Sequence, residues 1–323
     1  ASDGFVAIND LENFSGDVKY TCKTICTVGR SNRHVHKKSV ETTSWYPLDT
    51  GLFLTNEHQF NGIIYNHHMS PIATKHCLVA VANQSSELKL VDLKSGSASH
   101  LLKGHRKSVM CVRWSNKDEF ILASGSKDNR CLIWDIRKAK GAMLSLDQYN
   151  GEEASEYEGG NTAHTGNVNG LHFTSDGLHL VTFGTDNCIR LWNISTGRNT
   201  LVNYGKVDND SRRTVEFSVS TNGLPDLIYM PSGSDIEVFD IFQGSKIDTF
   251  RGHYTQVNCC TFHPHFQELY SGGNDRNILV WVPDTDTAYE EYLLSKDKPE
   301  EDDSNITRNP VTVDTWSSDE DDG

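Results

Sequence analysis

The sequence predicts an all-β fold assembled from a repeated unit of short antiparallel strands. The unit is clearest over residues 104–137, where a Gly-His pair opens the segment and a Trp-Asp pair closes it. Val109, Cys111 and Trp114 alternate in the way typical of a half-buried strand, and a second apolar run follows. Because an Asp-Asn turn separates that run from a third strand over residues 131–134, the segment is predicted to be a meander joined by tight turns.

The same residue types recur in two more segments at fixed spacing. In each, a Ser or Thr precedes an Asp by 4 residues, the Asp precedes a Trp by 6, and a His lies 22 or 23 residues before the Asp. The three sets are His105, Ser124, Asp128 and Trp134; His164, Thr182, Asp186 and Trp192; and His253, Ser271, Asp275 and Trp281. This frame is the signature of a blade in a WD-repeat β-propeller, which takes about 40–45 residues. A chain of 323 residues then predicts seven blades.

Ser, His and Asp are also the residue types of a nucleophilic triad, so a hydrolase is an alternative. A catalytic group is needed only once, however, and this set occurs three times. The repetition indicates a buried, hydrogen-bonded tetrad that ties an outer turn of each blade to its inner strands. We therefore predict that these residues are structural and that the chain is not an enzyme.

Charge is distributed unevenly along the chain. The formal net charge is −14, and residues 283–323 contribute −11 of it through 14 acidic and 3 basic side chains, which leaves −3 for residues 1–282. The body is therefore close to neutral and lacks the broad basic face that binds nucleic acid. No apolar run approaches the about 20 residues of a membrane span. The 8 cysteines, several within predicted strands, favour a reducing intracellular setting.

Two groups of residues raise the question of a metal site. Cys22, Cys26, His34 and His36 could be zinc ligands, but their spacing fits no common zinc site. The pair His67-His68 is better interpreted as part of a loop. We expect neither a metal nor any other cofactor.

The predicted domains are a propeller over residues 1–283 and a disordered acidic tail over residues 284–323. The first two blades are expected to be incomplete. Residues 1–12 provide only the last strands of a blade, so the chain is expected to lack its true N-terminus, and the second blade lacks its closing strand. Residues 13–38 are expected to be irregular.

The tail contains few apolar residues, which is the reason for predicting disorder. Ser317 and Ser318 each have an acidic residue three positions further on. Acidophilic kinases of the casein-kinase type prefer this pattern, so both serines are candidate phosphorylation sites. A solvated terminus without modification is the alternative, since a phosphate here would only deepen an existing negative charge.

Several segments, most of them outside the repeat frame, carry a closer resemblance. They are YTCKTICTVGR (20–30), SVETTSWYPLDTG (39–51), NHHMSPIATKHCLVAV (66–81), NTAHTGNVNGLHFTSDGLHL (161–180), NTLVNYGKV (199–207), FQELYSGGNDRNILVWVP (266–283) and the closing WSSDEDDG. On these segments the chain resembles WD-repeat substrate receptors of cullin–RING ubiquitin ligases. The resemblance implies a nuclear receptor in transcription-coupled nucleotide excision repair. Such a receptor docks on the damaged-DNA-binding adaptor of the ligase and binds repair and stalled-transcription complex proteins, with no membrane involved.

The adaptor-docking signature of these receptors is a Trp-Asp-x-Arg box at the end of a blade. Trp134-Asp135-Ile136-Arg137 fits it, and the other two Trp-closed strands lack the Arg. The resemblance therefore makes Trp134, Asp135 and Arg137 adaptor-binding candidates, and strand alternation places Arg137 at the propeller rim. The N-terminal helical segment that these receptors also use is expected to be absent from this sequence. A generic WD-repeat scaffold in another nuclear or cytoplasmic complex is the alternative function.

Overall fold

The computed structural model describes residues 6–9, 24–28, 40, 42–45, 53–55, 62–138, 141–151, 161–220 and 226–283. These residues form strands and turns in seven antiparallel sheets, so the predicted all-β fold is confirmed. Within them, no helix is long and apolar enough to cross a membrane. The chain divides into two compact units, Ala1–Val282 and Pro283–Gly323. The predicted tail, with Ser317 and Ser318, lies outside the described residues.

The first two blades have two described strands each. β1 (Val6–Asn9) pairs with β2 (Thr24–Val28), and β3 (Thr43–Trp45) pairs with β4 (Phe53–Thr55). β2 lies within a segment predicted to be irregular, and that prediction is wrong over these five residues. Pairing with β1 orders the strand, while residues 24–27 are all exposed, so no burial pattern marks it in the sequence.

Blades 3 to 6 are meanders of four antiparallel strands in sequence order. Blade 3 is β5 (Ile64–Met69), β6 (Leu78–Asn83), β7 (Glu87–Asp92) and β8 (Ala98–Lys103). Blade 4 is β9 (Val109–Trp114), β10 (Ile121–Ser126), β11 (Cys131–Asp135) and β12 (Leu144–Ser145). Blade 5 is β13 (Val168–Phe173), β14 (His179–Gly184), β15 (Ile189–Asn193) and β16 (Arg198–Asn199). Blade 6 is β17 (Ser218–Val219), β18 (Leu227–Ser232), β19 (Asp235–Asp240) and β20 (Lys246–Arg251).

Blade 7 has three strands: β21 (Val257–His263), β22 (Glu268–Gly273) and β23 (Ile278–Trp281). Its last strand pairs with β22 on one side only, and among the described residues no strand lies on its other side. Ile278, the first residue of β23, is 72% exposed. Blade 7 is therefore less covered than blades 3 to 6.

The core lies between neighbouring blades, because alternate residues of a strand face opposite sides of its sheet. In β6, Leu78 and Ala80 pack in a cluster with residues of blade 4. The intervening Val79 and Val81 pack on the opposite side, against Leu54 of blade 2. A strand covered on both faces therefore shows a continuous apolar run.

The inner strands of blades 3, 4 and 6 are bridged by Glu216, just before β17. Its carboxylate accepts a hydrogen bond from Asn66 Nδ2 at 2.5 Å and from Arg113 Nη2 at 3.1 Å. Next to it, Thr214 Oγ1 donates to the backbone oxygen of Met110 at 2.9 Å. Side chains of three blades therefore meet along the inner strands.

Candidate protein-docking site and the structural tetrads

The structure brings together all three sets of His, Ser or Thr, Asp and Trp. In blade 4, His105 Nε2 lies 2.8 Å from Ser124 Oγ, and Trp134 Nε1 donates to the same oxygen at 2.7 Å. His105 Nδ1 lies 3.1 Å from an oxygen of Asp128. Because an ionised carboxylate only accepts, Nδ1 carries the proton, Nε2 accepts from the hydroxyl, and the hydroxyl oxygen accepts from the indole.

The two other tetrads repeat this geometry. The corresponding distances from His Nε2 to hydroxyl, Trp Nε1 to hydroxyl and His Nδ1 to carboxylate are 2.7, 2.9 and 2.8 Å in blade 5, and 2.8 Å each in blade 7. The residues are His164, Thr182, Trp192 and Asp186 in blade 5, and His253, Ser271, Trp281 and Asp275 in blade 7.

Each tetrad aspartate also holds a neighbouring loop by backbone hydrogen bonds. Asp186 accepts from Thr165 N at 3.0 Å, and Asp275 accepts from Tyr254 N at 3.3 Å. Burial opposes ionisation of Asp275, but hydrogen bonds from His253 and from backbone N–H groups outweigh it and lower the pKa of Asp275 to about 2. The same balance lowers the pKa of Asp186. These carboxylates are therefore ionised at neutral pH.

In blades 5 and 7, the residue two positions after the tetrad hydroxyl is a glycine, and the absence of a Cβ there leaves space for the His and Asp side chains. A Cβ on Gly184 would lie 2.5 Å from both Asp186 Oδ1 and His164 Nδ1. Blade 7 has Gly273 at the same place, but blade 4 has Ser126. Blade 4 also has the longest His-to-Asp distances, 3.1 and 3.2 Å, which fits the larger residue at this position.

Two observations speak against a nucleophilic triad: the hydroxyl groups are not accessible to a substrate, and their oxygen atoms are already hydrogen-bonded. Ser124 and Thr182 are fully buried, and the side chains of His105 and His164 have no exposed surface. The hydroxyl oxygen of each already accepts an indole N–H. A buried oxygen with a hydrogen-bonded lone pair is poorly placed to attack a substrate.

The Trp-Asp-x-Arg box lies at the end of β11. Trp134 packs inside the blade, and Ile136 is partly buried against the same cluster. Asp135 is buried, and its Oδ1 accepts from the backbone N–H of Arg137 at 3.1 Å, which forms the turn that ends the strand. Arg137 follows with a side chain that is 52% exposed.

The Arg137 guanidinium is fixed on one edge by Asp135. Nε donates to Asp135 Oδ1 and Nη2 to Asp135 Oδ2, both at 2.9 Å, and Nη2 also lies 3.4 Å from Asp118 Oδ2. The hydrogen bond from Arg137 lowers the pKa of Asp135 more than its burial raises it. Nη1 has no hydrogen-bond partner among the described residues.

The equivalent turns of the other blades carry different side chains. Asp92, Asn193 and Asp240 each accept from the backbone N–H two residues on. The residues at that position are Lys94, Ser195 and Phe242. Arg137 is therefore the single arginine at this position in blades 3 to 6.

Phe120 is a residue of this site that the sequence pattern did not reveal. Its ring lies under Arg137, with the guanidinium carbon 4.7 Å from the ring centroid. In the sequence, Phe120 is one member of an apolar run beside β10 and has no feature that sets it apart. Only the return of the chain at the end of β11 brings the two residues together.

The prediction that His67 and His68 belong to a loop is wrong, because both lie in β5. His67 Nδ1 and Nε2 are 2.6 Å from Thr42 Oγ1 and 2.9 Å from Ser44 Oγ, and His68 Nδ1 accepts from Trp114 N at 3.0 Å. Residues of neighbouring blades therefore provide hydrogen-bond partners for both imidazole rings. In the described part of the chain, no group of three His, Cys, Asp or Glu residues could hold a metal ion; Cys22, His34 and His36 lie outside it.

Repeated four-stranded meanders with this tetrad define a WD-repeat β-propeller. The family described as "WD domain, G-beta repeat" matches residues 96–135, 158–193 and 244–282. The chain is 30% identical to the "WD repeat-containing protein ATCSA-1" of Arabidopsis thaliana, over 88% of this chain and 81% of that protein. It therefore belongs to the WD-repeat protein family.

Two further proteins are similar to this chain over a smaller share of their own length. A "Guanine nucleotide-binding protein subunit beta-like protein" of Encephalitozoon cuniculi is 27% identical, over 65% of this chain and 58% of its own length. A chain in the "Crystal Structure of Mitotic Checkpoint Complex" superposes with a TM-score of 0.57 at 20% identity, over 73% of this chain and 66% of that chain. At this identity the structural likeness supports the fold alone.

Proposed function

We propose that the chain is a non-catalytic, nuclear substrate receptor of a cullin–RING ubiquitin ligase that acts in transcription-coupled nucleotide excision repair. The observation that carries the proposal is Arg137, whose guanidinium is held on one edge by buried Asp135 while its side chain is half-exposed. The segments given above resemble the Cockayne syndrome group A protein in particular. The relative named ATCSA-1, at 30% identity, supports the same proposal.

In this function the propeller is a rigid platform and the chemistry belongs to its partners. Nη1 of Arg137, which has no partner among the residues that the structure describes, can donate to a carboxylate or carbonyl of the damaged-DNA-binding adaptor, and the planar fork of arginine suits such a contact. Arginine is enriched among residues that dominate interface energies, where a truncation costs about 2 kcal/mol or more. Trp134 and Asp135 act indirectly, by fixing the position of Arg137.

The test is co-purification of the adaptor with wild-type chain and with Arg137→Glu from nuclear extract. Lys138→Glu is the matched control, because it makes the same charge change at the next, also exposed residue. We expect Arg137→Glu to weaken capture by about thirtyfold or more and Lys138→Glu to retain it, with both variants melting as wild type. If Arg137→Glu folds and binds at wild-type strength, the docking assignment is wrong.

A second candidate function is a WD-repeat scaffold in a different complex. The shared fold supports it, since WD-repeat propellers generally bind other proteins. In the same experiment, mass spectrometry would then identify a stable set of partners without ligase subunits. That outcome would replace the first proposal.

A further inference from the structure

Positive charge is concentrated at the end of blades 3 and 4 that lies opposite Arg137. The turn over residues 127–130 precedes β11 and Arg137 follows it, so the length of that strand, about 17 Å, separates the two. Five cationic side chains lie in loops on the side of this turn, and we call them the basic patch. They are Arg106, Lys107, Lys127, Arg212 and Arg213. All are exposed except Lys127, which is half-buried.

Hydrogen bonds between neighbouring loops bring these cations together. Lys127 N donates to the backbone oxygen of Ser108 at 3.0 Å, which fixes the turn beside the loop that carries Arg106 and Lys107. The ammonium group of Lys127 lies 3.3 Å from the Tyr65 hydroxyl and 4.9 Å from the centroid of that ring. The loop before β9 and the turn after β10 are therefore joined, and Lys127 extends from them towards blade 3.

Arg212 and Arg213 reach the same place from the segment that precedes β17. Thr214 Oγ1 donates to the backbone oxygen of Met110 at 2.9 Å and lies 3.3 Å from the backbone oxygen of Tyr65. These oxygens belong to the first residues of the inner strands β9 and β5. Cations from three separate parts of the chain therefore meet at one end of blades 3 and 4.

The acids of the two adjacent turns, Asp128 and Glu87, are engaged by other partners. Asp128 is buried in its tetrad and accepts from the backbone N–H of Arg106 at 2.8 Å. Glu87 forms an ion pair with Lys103 at 3.2 Å. Neither carboxylate pairs with the side chains of the basic patch, which therefore keeps an excess of positive charge.

The limited extent of the basic patch favours a short anionic ligand. Asp208 and Asp210 are exposed and precede Arg212 in the same segment, so a long phosphate backbone that continued in this direction would meet like charge. Lys127 lies over the ring of Tyr65, so this ring is not an open platform for the base stacking on which binding of single-stranded nucleic acid depends. A short polypeptide segment that carries carboxylate side chains complements the patch better.

We propose that the basic patch binds a short acidic segment of a partner protein, whose carboxylate side chains contact Lys107, Lys127 and Arg212. This inference goes beyond the proposed function, because it adds a second protein-binding site at the end of the strands opposite Arg137. It applies equally to a WD-repeat scaffold in a different complex. Since the length of a strand separates the two sites, two partners can be bound at the same time.

The test measures the affinity of the full chain for a fluorescently labelled hexaglutamate peptide by anisotropy. At about 0.15 M salt, screening over about 8 Å limits the influence of distant charges. The double variant Lys107→Glu/Arg212→Glu reverses two exposed cations of the patch. Lys94→Glu/Lys138→Glu is the matched control, because it makes the same charge change at exposed residues in turns at the opposite end of the strands.

We expect the patch variant to bind the peptide about tenfold more weakly than wild type, because each reversed cation loses an attraction and adds a repulsion. The control variant should bind within about twofold of wild type, since its charges lie beyond the screening distance. Thermal melts of both variants should match wild type.

Failure of the peptide to bind wild type, or equal affinities of the two double variants, would overturn the inference. A labelled single-stranded thymidine oligonucleotide of equal charge is the second probe. If wild type binds it more tightly than the peptide and the patch variant does not bind it, the patch is a nucleic-acid site and the proposal is wrong. Adaptor capture by the patch variant should equal that of wild type, so failure of this inference leaves the proposed function intact.

Discussion

The carboxylate of Asp186 lies 2.8 Å from Nδ1 of His164, and through this contact the turn between β14 and β15 holds the loop that precedes β13. Arg190 adds to it, with Nη1 3.0 Å from the other carboxylate oxygen and Nη2 2.9 Å from Gln148 Oε1. Burial and the charge of Arg190 together lower the pKa of His164 more than Asp186 raises it. The ionised aspartate is thus the partner on which both His164 and Arg190 depend.

Asp186→Ala should therefore destabilise the protein markedly. It leaves a buried imidazole and a guanidinium without their acceptor, and a buried unpaired polar group costs about 1–3 kcal/mol. Lys206→Ala is the control, since Lys206 is exposed and such surface changes usually cost less than about 0.5 kcal/mol. Urea unfolding midpoints give the comparison, and equal midpoints for the two variants would contradict the structural role of the tetrad.

Arg276→Asn should stabilise the protein. Arg276 has a φ of 67°, and the equivalent turns of blades 4 and 5 have Asn129 at 68° and Asn187 at 61°. Asparagine tolerates this left-handed conformation better than arginine does, so we expect a gain of up to about 1 kcal/mol. Arg276→Ala removes the side chain but keeps the unfavourable φ, so its melting temperature should stay at the wild-type value. A lower melting temperature for Arg276→Asn would refute the argument.

Stability should fall as the pH is lowered from 7 to 5. Burial lowers the pKa of His67 from 6.5 to about 4. Between these values the unfolded chain binds a proton that the folded chain does not, so acidification favours unfolding. The contribution of His67 between pH 7 and pH 5 is about 2 kcal/mol. His68 and His172, whose pKa values are also lowered mainly by burial, act in the same direction.

The contribution of one histidine can be isolated by comparing His67→Gln with His100→Gln at the two pH values. His100 is exposed, so its replacement should leave the pH dependence of the urea midpoint unchanged. His67→Gln lowers stability at pH 7 but should show a smaller loss on acidification. If both variants keep the wild-type pH dependence, burial of His67 is not its source.

A serine-directed fluorophosphonate should not label Ser124. The hydroxyl is fully buried and its oxygen accepts the Trp134 indole N–H at 2.7 Å. Mass spectrometry of the intact protein after incubation provides the measurement, with a known serine hydrolase as the positive control. An adduct that maps to Ser124 would restore the hydrolase alternative.

The repeat frame could be predicted from the sequence because the same four residue types recur at fixed spacing in three segments. A hydroxyl, an imidazole and a carboxylate at fixed separations mark the turns of a blade, and the strands between them follow. Arg137 could be singled out for a similar reason, since a two-residue offset from Trp-Asp defines its place on the turn.

Features that depend on contacts between blades could not be predicted. His67 and His68 are polar residues in β5 that resemble a loop, and only Thr42, Ser44 and Trp114 in neighbouring blades explain their burial. The cavity beside Arg137, lined by Ile72 and Leu178 among others, likewise combines side chains more than 100 residues apart in the chain. A local sequence pattern contains no information on which distant residues come into contact.

Among the residues that the structure describes, no strand pairs with the outer edge of β23, and this has a consequence for the solution behaviour of the protein. A strand with free backbone N–H and C=O groups is a template for pairing with another chain, and Ile278 adds exposed apolar surface beside it. At high concentration, copies of the chain should associate edge to edge, which would be seen as growing light scattering. Ile278→Lys introduces the kind of charge with which natural sheets protect an edge, and it should keep the protein monodisperse.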